Sequence, residues 1–80
     1  MAENTKSTRY YQFYDKDGKK FDVDANAVDA DMDGFVADFP DAKMRMVDKD
    51  GEQWDIPVGN MKAAMNEGGY RMWSWGVKTT

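Results

Sequence analysis

The sequence predicts a small α+β domain: a tandem ββα-ββα repeat with a final β-strand, its sheet mainly antiparallel and its helices on one face. Three observations predict it. Asp15-Lys16-Asp17-Gly18 recurs as Asp48-Lys49-Asp50-Gly51, 33 positions on. At the same offset Phe21-Asp22-Val23 answers Trp54-Asp55-Ile56, Ala30 answers Ala63 and Met32 answers Met65. Within each copy, aromatic and β-branched runs flank the turn and give way to apolar residues at helical spacing. An open array needs about three or more copies to bury a continuous core, so two copies imply a closed, pseudo-symmetric pair.

Residues 1–8 are polar and without pattern, and read as a disordered N-terminal tail; Lys78–Thr80 reads the same way. The single domain is expected over 9–78, with repeats over 10–42 and 43–75. In the first copy Arg9–Tyr14 suits a strand and Lys19–Val23 the return strand. Between them Gly18 is free to take the positive φ that a short hairpin loop needs. Asn26 is the expected helix cap, with Asp29 in the first turn where a negative charge suits the dipole. Val28, Met32, Phe35, Val36 and Phe39 form one apolar stripe, predicting a single helix that Pro40 ends. In the second copy Lys43–Val47 and Glu52–Ile56 are the strands and Pro57 is a breaker. A shorter helix follows from Val58 or Gly59 to Glu67, with Val58, Met61, Ala64 and Met65 on one face, and Gly68-Gly69 stops it. Tyr70–Val77 alternates and predicts the last strand, with Trp73 and Trp75 on one face and Tyr70 and Met72 on the other.

Composition excludes several chemistries. The 80 residues contain no cysteine and no histidine, which removes disulfides, thiolate and imidazole metal sites, and histidine-based catalytic triads. Fifteen acids against 11 bases give a net charge of −4, which argues against a general grip on nucleic-acid phosphates. No apolar run approaches the ~20 residues of a membrane helix, and no signal-peptide pattern opens the chain. Neither secretion by a signal peptide nor a membrane partner is therefore expected.

Asp29-Ala-Asp31-Met-Asp33-Gly34-Phe-Val36 matches the first part of an EF-hand calcium loop. The loop's closing bidentate glutamate would fall at Pro40, and the helical stripe runs straight through the segment, so no metal site is expected. An acidic helix face remains, formed by Asp29, Asp31, Asp33 and Asp38. The Asp-Lys-Asp-Gly segments are explained by turn chemistry. Carboxylate pairs are numerous enough to meet by crowding alone, and no glycine-rich phosphate cradle is present, so neither an enzyme nor a cofactor is expected. The seven methionines suit adaptable core filling. Tyr10, Tyr11, Phe13, Tyr14, Trp73 and Trp75 place aromatics on both faces of their strands, more than one helical layer can cover. Trp73, Trp75, Tyr11 and Phe13 are therefore candidates for contact with another protein, as are Asp29, Asp31, Asp33 and Asp38.

The unit Asp50-Gly51-Glu-Gln-Trp54-Asp55-Ile56-Pro57, a short helix carrying Ala63-Ala64, and Gly69-Tyr70-Arg71 resembles a small repeat in proteins of tailed bacteriophages and related mobile elements. The first copy, with Phe21-Asp22-Val23 and the helix end Gly34 to Ala42, resembles versions from phages of gut Bacteroidales. The resemblance spans most of residues 10–72, departing where Asp24 replaces a proline and where the first helix runs a turn longer. It implies a virion-associated or mobile-element accessory protein that works by protein contacts, in the cytoplasm of a host or in a virion. The function expected is thus a non-enzymatic structural or protein-interaction module, such as a small capsid-associated protein. The alternative is an acidic inhibitor or DNA mimic occupying a basic site on a host enzyme. A third reading has Trp73 and Trp75 stacking on single-stranded nucleic acid.

Overall fold

Both Asp-Lys-Asp-Gly segments fold into the same turn. In the computed structural model, which describes residues 9–79, Asp15 Oδ1 accepts from the amides of Asp17 and Lys19, each at 2.9 Å. Asp48 Oδ1 does the same for Asp50 and Glu52 at 2.8 and 2.9 Å. Gly18 and Gly51 close the turns at φ of +83° and +86°, where a side chain would be strained.

These turns join β1 (Tyr10–Tyr14) to β2 (Lys20–Asp24) and β3 (Lys43–Val47) to β4 (Gln53–Pro57), so the strands repeat at the offset seen in the turns. With β5 (Val77–Lys78) they form one antiparallel sheet in the order β2-β1-β3-β4-β5. The first strands of the two hairpins meet in the centre, Phe13 opposite Met44 and Tyr14 opposite Lys43. Extending that register by one residue brings Gln12 against Arg45, its equivalent in the other copy. An approximate two-fold axis therefore passes between them, giving the closed pair that the repeat predicts.

The helices cover one face. Strand alternation sends Tyr11 and Phe13, Phe21 and Val23, and Met44 and Met46 into one cluster with Val28, Phe35, Val58 and Met61. A smaller cluster joins Ile56, Ala64 and Met72, with Trp54 and Trp75 against it. Among the described residues no polar or charged residue is fully buried. The opposite face carries Arg45, whose guanidinium lies 4.7 Å from the Tyr14 ring centre and donates to Asp55 at 2.7 Å.

Three local expectations are corrected. The first helix is two: α1 (Ala25–Ala30) and α2 (Met32–Asp38), parted at Asp31, whose φ of −150° and ψ of 69° are not helical. The Asp31 carboxylate caps α2 by accepting from Gly34 N at 3.0 Å. A Cβ at Gly34 would collide with that carboxylate, so the Asp-Met-Asp-Gly run is a helix-capping device. Second, α1 is capped by Asp24, which accepts from Asn26 N at 3.0 Å; Asn26 itself lies inside the helix. Pro57 occupies the equivalent place, and the two residues share nearly one conformation, φ −53° and −52°. A 3-10 turn (Val58–Asn60) and α3 (Met61–Glu67) follow it.

Third, Tyr70–Val77 is not a strand. Gly68, Gly69 and Arg71 all have positive φ, which no strand accommodates. A 3-10 turn (Met72–Ser74) then drops Met72 into the second cluster, and only Val77–Lys78 pairs with β4. Gly76 passes so close to Asp55 O and the Ile56 side chain that a Cβ has no room. The C-terminal end is held rather than loose: Lys78 pairs with Trp54 and Thr79 N donates to Gln53 O at 3.0 Å. The tail expected over residues 1–8 lies outside the described residues.

Candidate functional site

The C-terminal segment builds the most exposed aromatic surface. It begins where α3 stops at Gly68, left-handed at φ 67°. Gly69 comes next, packed so close to the second Asp-Lys-Asp-Gly turn that a Cβ would sit 2.7 Å from Lys49 N. Its carbonyl accepts from that amide at 3.3 Å. Arg71 is the one described residue other than glycine with positive φ, at 52°. Its guanidinium grips Glu67 with two bonds of 3.0 and 3.1 Å. That pairing holds the Glu67 carboxyl below its ordinary range and raises Arg71 above its own.

Beyond Arg71 the chain is tied at several points. Ser74 N donates to Arg71 O at 2.8 Å, and Trp75 N and Gly76 N to Met72 O at 2.9 and 3.0 Å. Asn60 Nδ2 donates to Trp75 O at 3.0 Å, fixing the segment to the head of α3. Met72 anchors it from below, 2% exposed. The result is a braced loop that holds the Trp73 side chain outward, 69% exposed. Tyr70 is 57% exposed, with the Lys49 ammonium 5.6 Å from its ring centre. Trp75 is half-buried against Ile56, Ala64 and Met72, and its indole N–H is buried without a partner in the chain.

The other candidate residues are placed differently. Phe13, expected to be available to a partner, is fully buried, because β1's alternation sends it under the helices between Phe21 and Phe35. Tyr11 is half-buried on the same face; burial and the hydrogen bond to Asp29 hold its phenol above the ordinary value. Trp73 and Trp75 do not share a strand face, since no strand forms there, and Tyr70 and Met72 part in the same way. Among the acids, Asp29 accepts from Tyr11 Oη at 2.9 Å and Arg9 Nη2 at 3.1 Å, while Asp31 caps α2. Asp33 and Asp38 lie exposed on α2.

Sequence reasoning missed Tyr70 as part of the exposed surface. It also missed Val47 and Val77, which project from the open sheet face beside the Arg45–Asp55 pair. The period-two alternation of β3 carried the Val47 signal; nothing local distinguished Val77. Two bases of this segment's surroundings are engaged within the chain, Arg71 by Glu67 and Lys49, which lies over Tyr70, by Asp50 at 3.3 Å. Among the described residues no group of three or more carboxylates is placed to hold a metal ion. No described helix is long and apolar enough to cross a membrane. No protein-family model matches the chain, and no curated protein or solved structure matches it significantly.

Proposed function

We propose that this chain is a non-enzymatic protein-interaction module that docks on a larger assembly through Trp73, with Tyr70 beside it. The observation that carries the reading is a large indole held in water by a braced backbone. Tryptophan and tyrosine dominate interface energetics, and a backbone already braced leaves less chain to order on binding. Within that reading, the resemblance of the repeat to tailed-phage accessory proteins names the assembly: a virion, with this chain as a small capsid-associated component.

The test is affinity capture from the native source with the chain and its Trp73→Ala variant, both verified as folded. Trp73→Ala weakens association by about 2 kcal/mol or more, and the wild-type complex persists in high salt. A complex that ignores Trp73→Ala and dissolves in high salt would instead support the acidic inhibitor or DNA mimic. That alternative has Asp33 and Asp38 exposed and without a hydrogen-bond partner among the described residues, while Asp29 and Asp31 are engaged within the chain. Direct binding of single-stranded oligonucleotide would support the stacking role of Trp73 and Trp75.

A further inference from the structure

We propose that the outer edge of β2 pairs with the same edge of a second copy of this chain, antiparallel and centred on Phe21, to make a two-fold dimer with one continuous sheet. β2 is the first strand of the sheet order, so β1 pairs with one side of it only. The direction of its backbone groups follows from two bonds. Asp15 N donates to Lys19 O and Ala25 N to Arg9 O, each at 2.9 Å. In an antiparallel pair the bonded residues alternate, so Phe21 and Val23 also turn toward β1. The N–H and C=O of Lys20 and Asp22 point out of the sheet, and among the described residues nothing pairs with them. Exposed edges are commonly blunted by shortness, a proline or a bulge. The opposite edge, β5, is two residues long. β2 has five residues, no proline and an unbroken register with β1 over all five pairs.

The charges along the strand choose both occupant and register. Lys20, Asp22 and Asp24 are exposed on the open face, while Phe21 and Val23 are half-buried on the helix side. An axis at Lys20 or Asp22 sets that charge against its own mate, and one at Val23 opposes Asp22 to Asp24 twice. Like charges directly opposed across strands destabilise. An axis at Phe21 sets Lys20 against Asp22 of the second copy, twice. Each is a bonded pair, in which the two residues exchange both N–H···O=C bonds. Neither residue has an ionic partner among the described residues, and opposite them on β1 stand the uncharged Tyr14 and Gln12. Asp24, which caps α1, falls opposite Gly18 and is not asked to pair. On the helix side the axis brings Phe21 against its mate in a non-bonded pair, where side chains lie closest. Phe39, its ring centre 5.4 Å from that of Phe21, is 43% exposed and extends the aromatic patch. Lys19 of the second copy falls opposite Val23, at a cleft of about 200 Å³ between β2 and the two short helices. Val23, Val28 and Phe35 contribute the cleft's apolar surface, and Asp31 and Asp38 its carboxylates. From residue 18 to residue 24 no charge meets its like. The edge lies across the sheet from β5, so pairing there leaves both Trp73 surfaces open.

The test is sedimentation of the full chain over about a hundredfold range of concentration, with amide NMR on the same samples. A monomer–dimer equilibrium is expected, with exchange slowing at the Lys20 and Asp22 amides as the dimer forms. Lys20→Asp and Asp22→Lys each weaken self-association by about tenfold or more while the native spectrum persists. Mixed with each other, the two variants form a heterodimer, because every lysine at these positions then faces an aspartate. The double variant Lys20→Asp/Asp22→Lys recovers self-association for the same reason, whereas an axis at Asp22 would make it the weakest of the set. Trp73→Ala leaves the dimer unchanged, which keeps this result apart from that of the docking reading. The proposal is overturned if the chain stays monomeric at the highest concentration, or if the single charge reversals have no effect. It is equally overturned if neither the mixture nor the double variant restores association, or if the protected amides map away from β2.

Discussion

Replacing Phe13 with alanine separates a core aromatic from a contact aromatic. The ring is fully buried, stacked on Phe21 at 5.5 Å, tilted against Phe35 at 4.6 Å and edge-on to Tyr11 at 6.4 Å. Truncating a buried phenylalanine costs roughly 3–5 kcal/mol. Three ring neighbours, each worth about 0.5–1.5 kcal/mol beyond buried area, put this site at about 4–5 kcal/mol. At roughly 0.05–0.15 kcal/mol per residue, a chain of 80 residues holds about 4–12 kcal/mol in all. Phe13→Ala therefore removes between a third of the stability and all of it. Where the variant still folds, the melting temperature falls by roughly 15–40 °C. Urea denaturation followed by circular dichroism and tryptophan fluorescence measures the loss. Phe13→Leu, which keeps most of the volume, costs only about 1–1.5 kcal/mol, and Trp73→Ala leaves the urea midpoint near that of the wild type. A loss under about 1 kcal/mol for Phe13→Ala would refute the reasoning, because it would put β1 in the opposite register with its other face toward the helices.

The methionines divide in the same assay: Met61→Ala, at a fully buried site, costs about 2–5 kcal/mol, whereas half-buried Met32 and Met65 cost about 1 kcal/mol each on truncation. Among the glycines, Gly69→Ala destabilises, since its φ of +93° strains a side chain and the new Cβ would press on Lys49 N. Gly59→Ala meets open space in a helical turn and is neutral or stabilises by up to about 1 kcal/mol. The pH dependence follows from two carboxylates held below their ordinary values. For Asp48 the main cause is the Trp54 indole N–H, followed by the amides of Glu52 and Asp50; for Glu67 it is Arg71. A depressed carboxylate stabilises above its unfolded pKa and loses that contribution as pH falls through its folded pKa. Thermal stability should therefore drop on acidification below about pH 4, less steeply in Asp48→Asn. A titration midpoint near neutrality would contradict this, as the chain has no histidine.

The turns and the four long strands were legible because their causes are local. An aspartate that accepts two amides and a glycine with positive φ define each turn, and alternation defines each strand. The break at Asp31 was hidden because the apolar stripe from Val28 to Phe39 keeps helical spacing on both sides of one non-helical residue. Its trace was present in Asp31 and Gly34, a cap and the small residue that admits it. The C-terminal segment was not legible. Its alternation imitates a strand, and the left-handed Arg71 is held by contacts to Glu67 that no spacing rule announces. Nor could the sequence alone tell buried Phe13 from exposed Tyr10 in one aromatic strand. Which phase of the alternation is buried depends on the face the helices cover.

The two copies agree up to the residue that starts each helical layer and diverge after it. Asp24 and Pro57 end their strands in nearly the same conformation, although one caps by a side-chain hydrogen bond and the other does not. From there the first copy makes two short helices, and the break between them opens the cleft beside β2. The second makes one helix that stops at Gly68, and its continuation carries Trp73 out into water. Neither feature has a counterpart in the other half. Two matched surfaces related by the internal two-fold axis would have suited one kind of partner twice over. The divergence leaves one sheet edge beside an acid-rimmed apolar cleft and the other beside an exposed indole, which call for different partner chemistry. Because the sheet separates them, binding at one need not block the other.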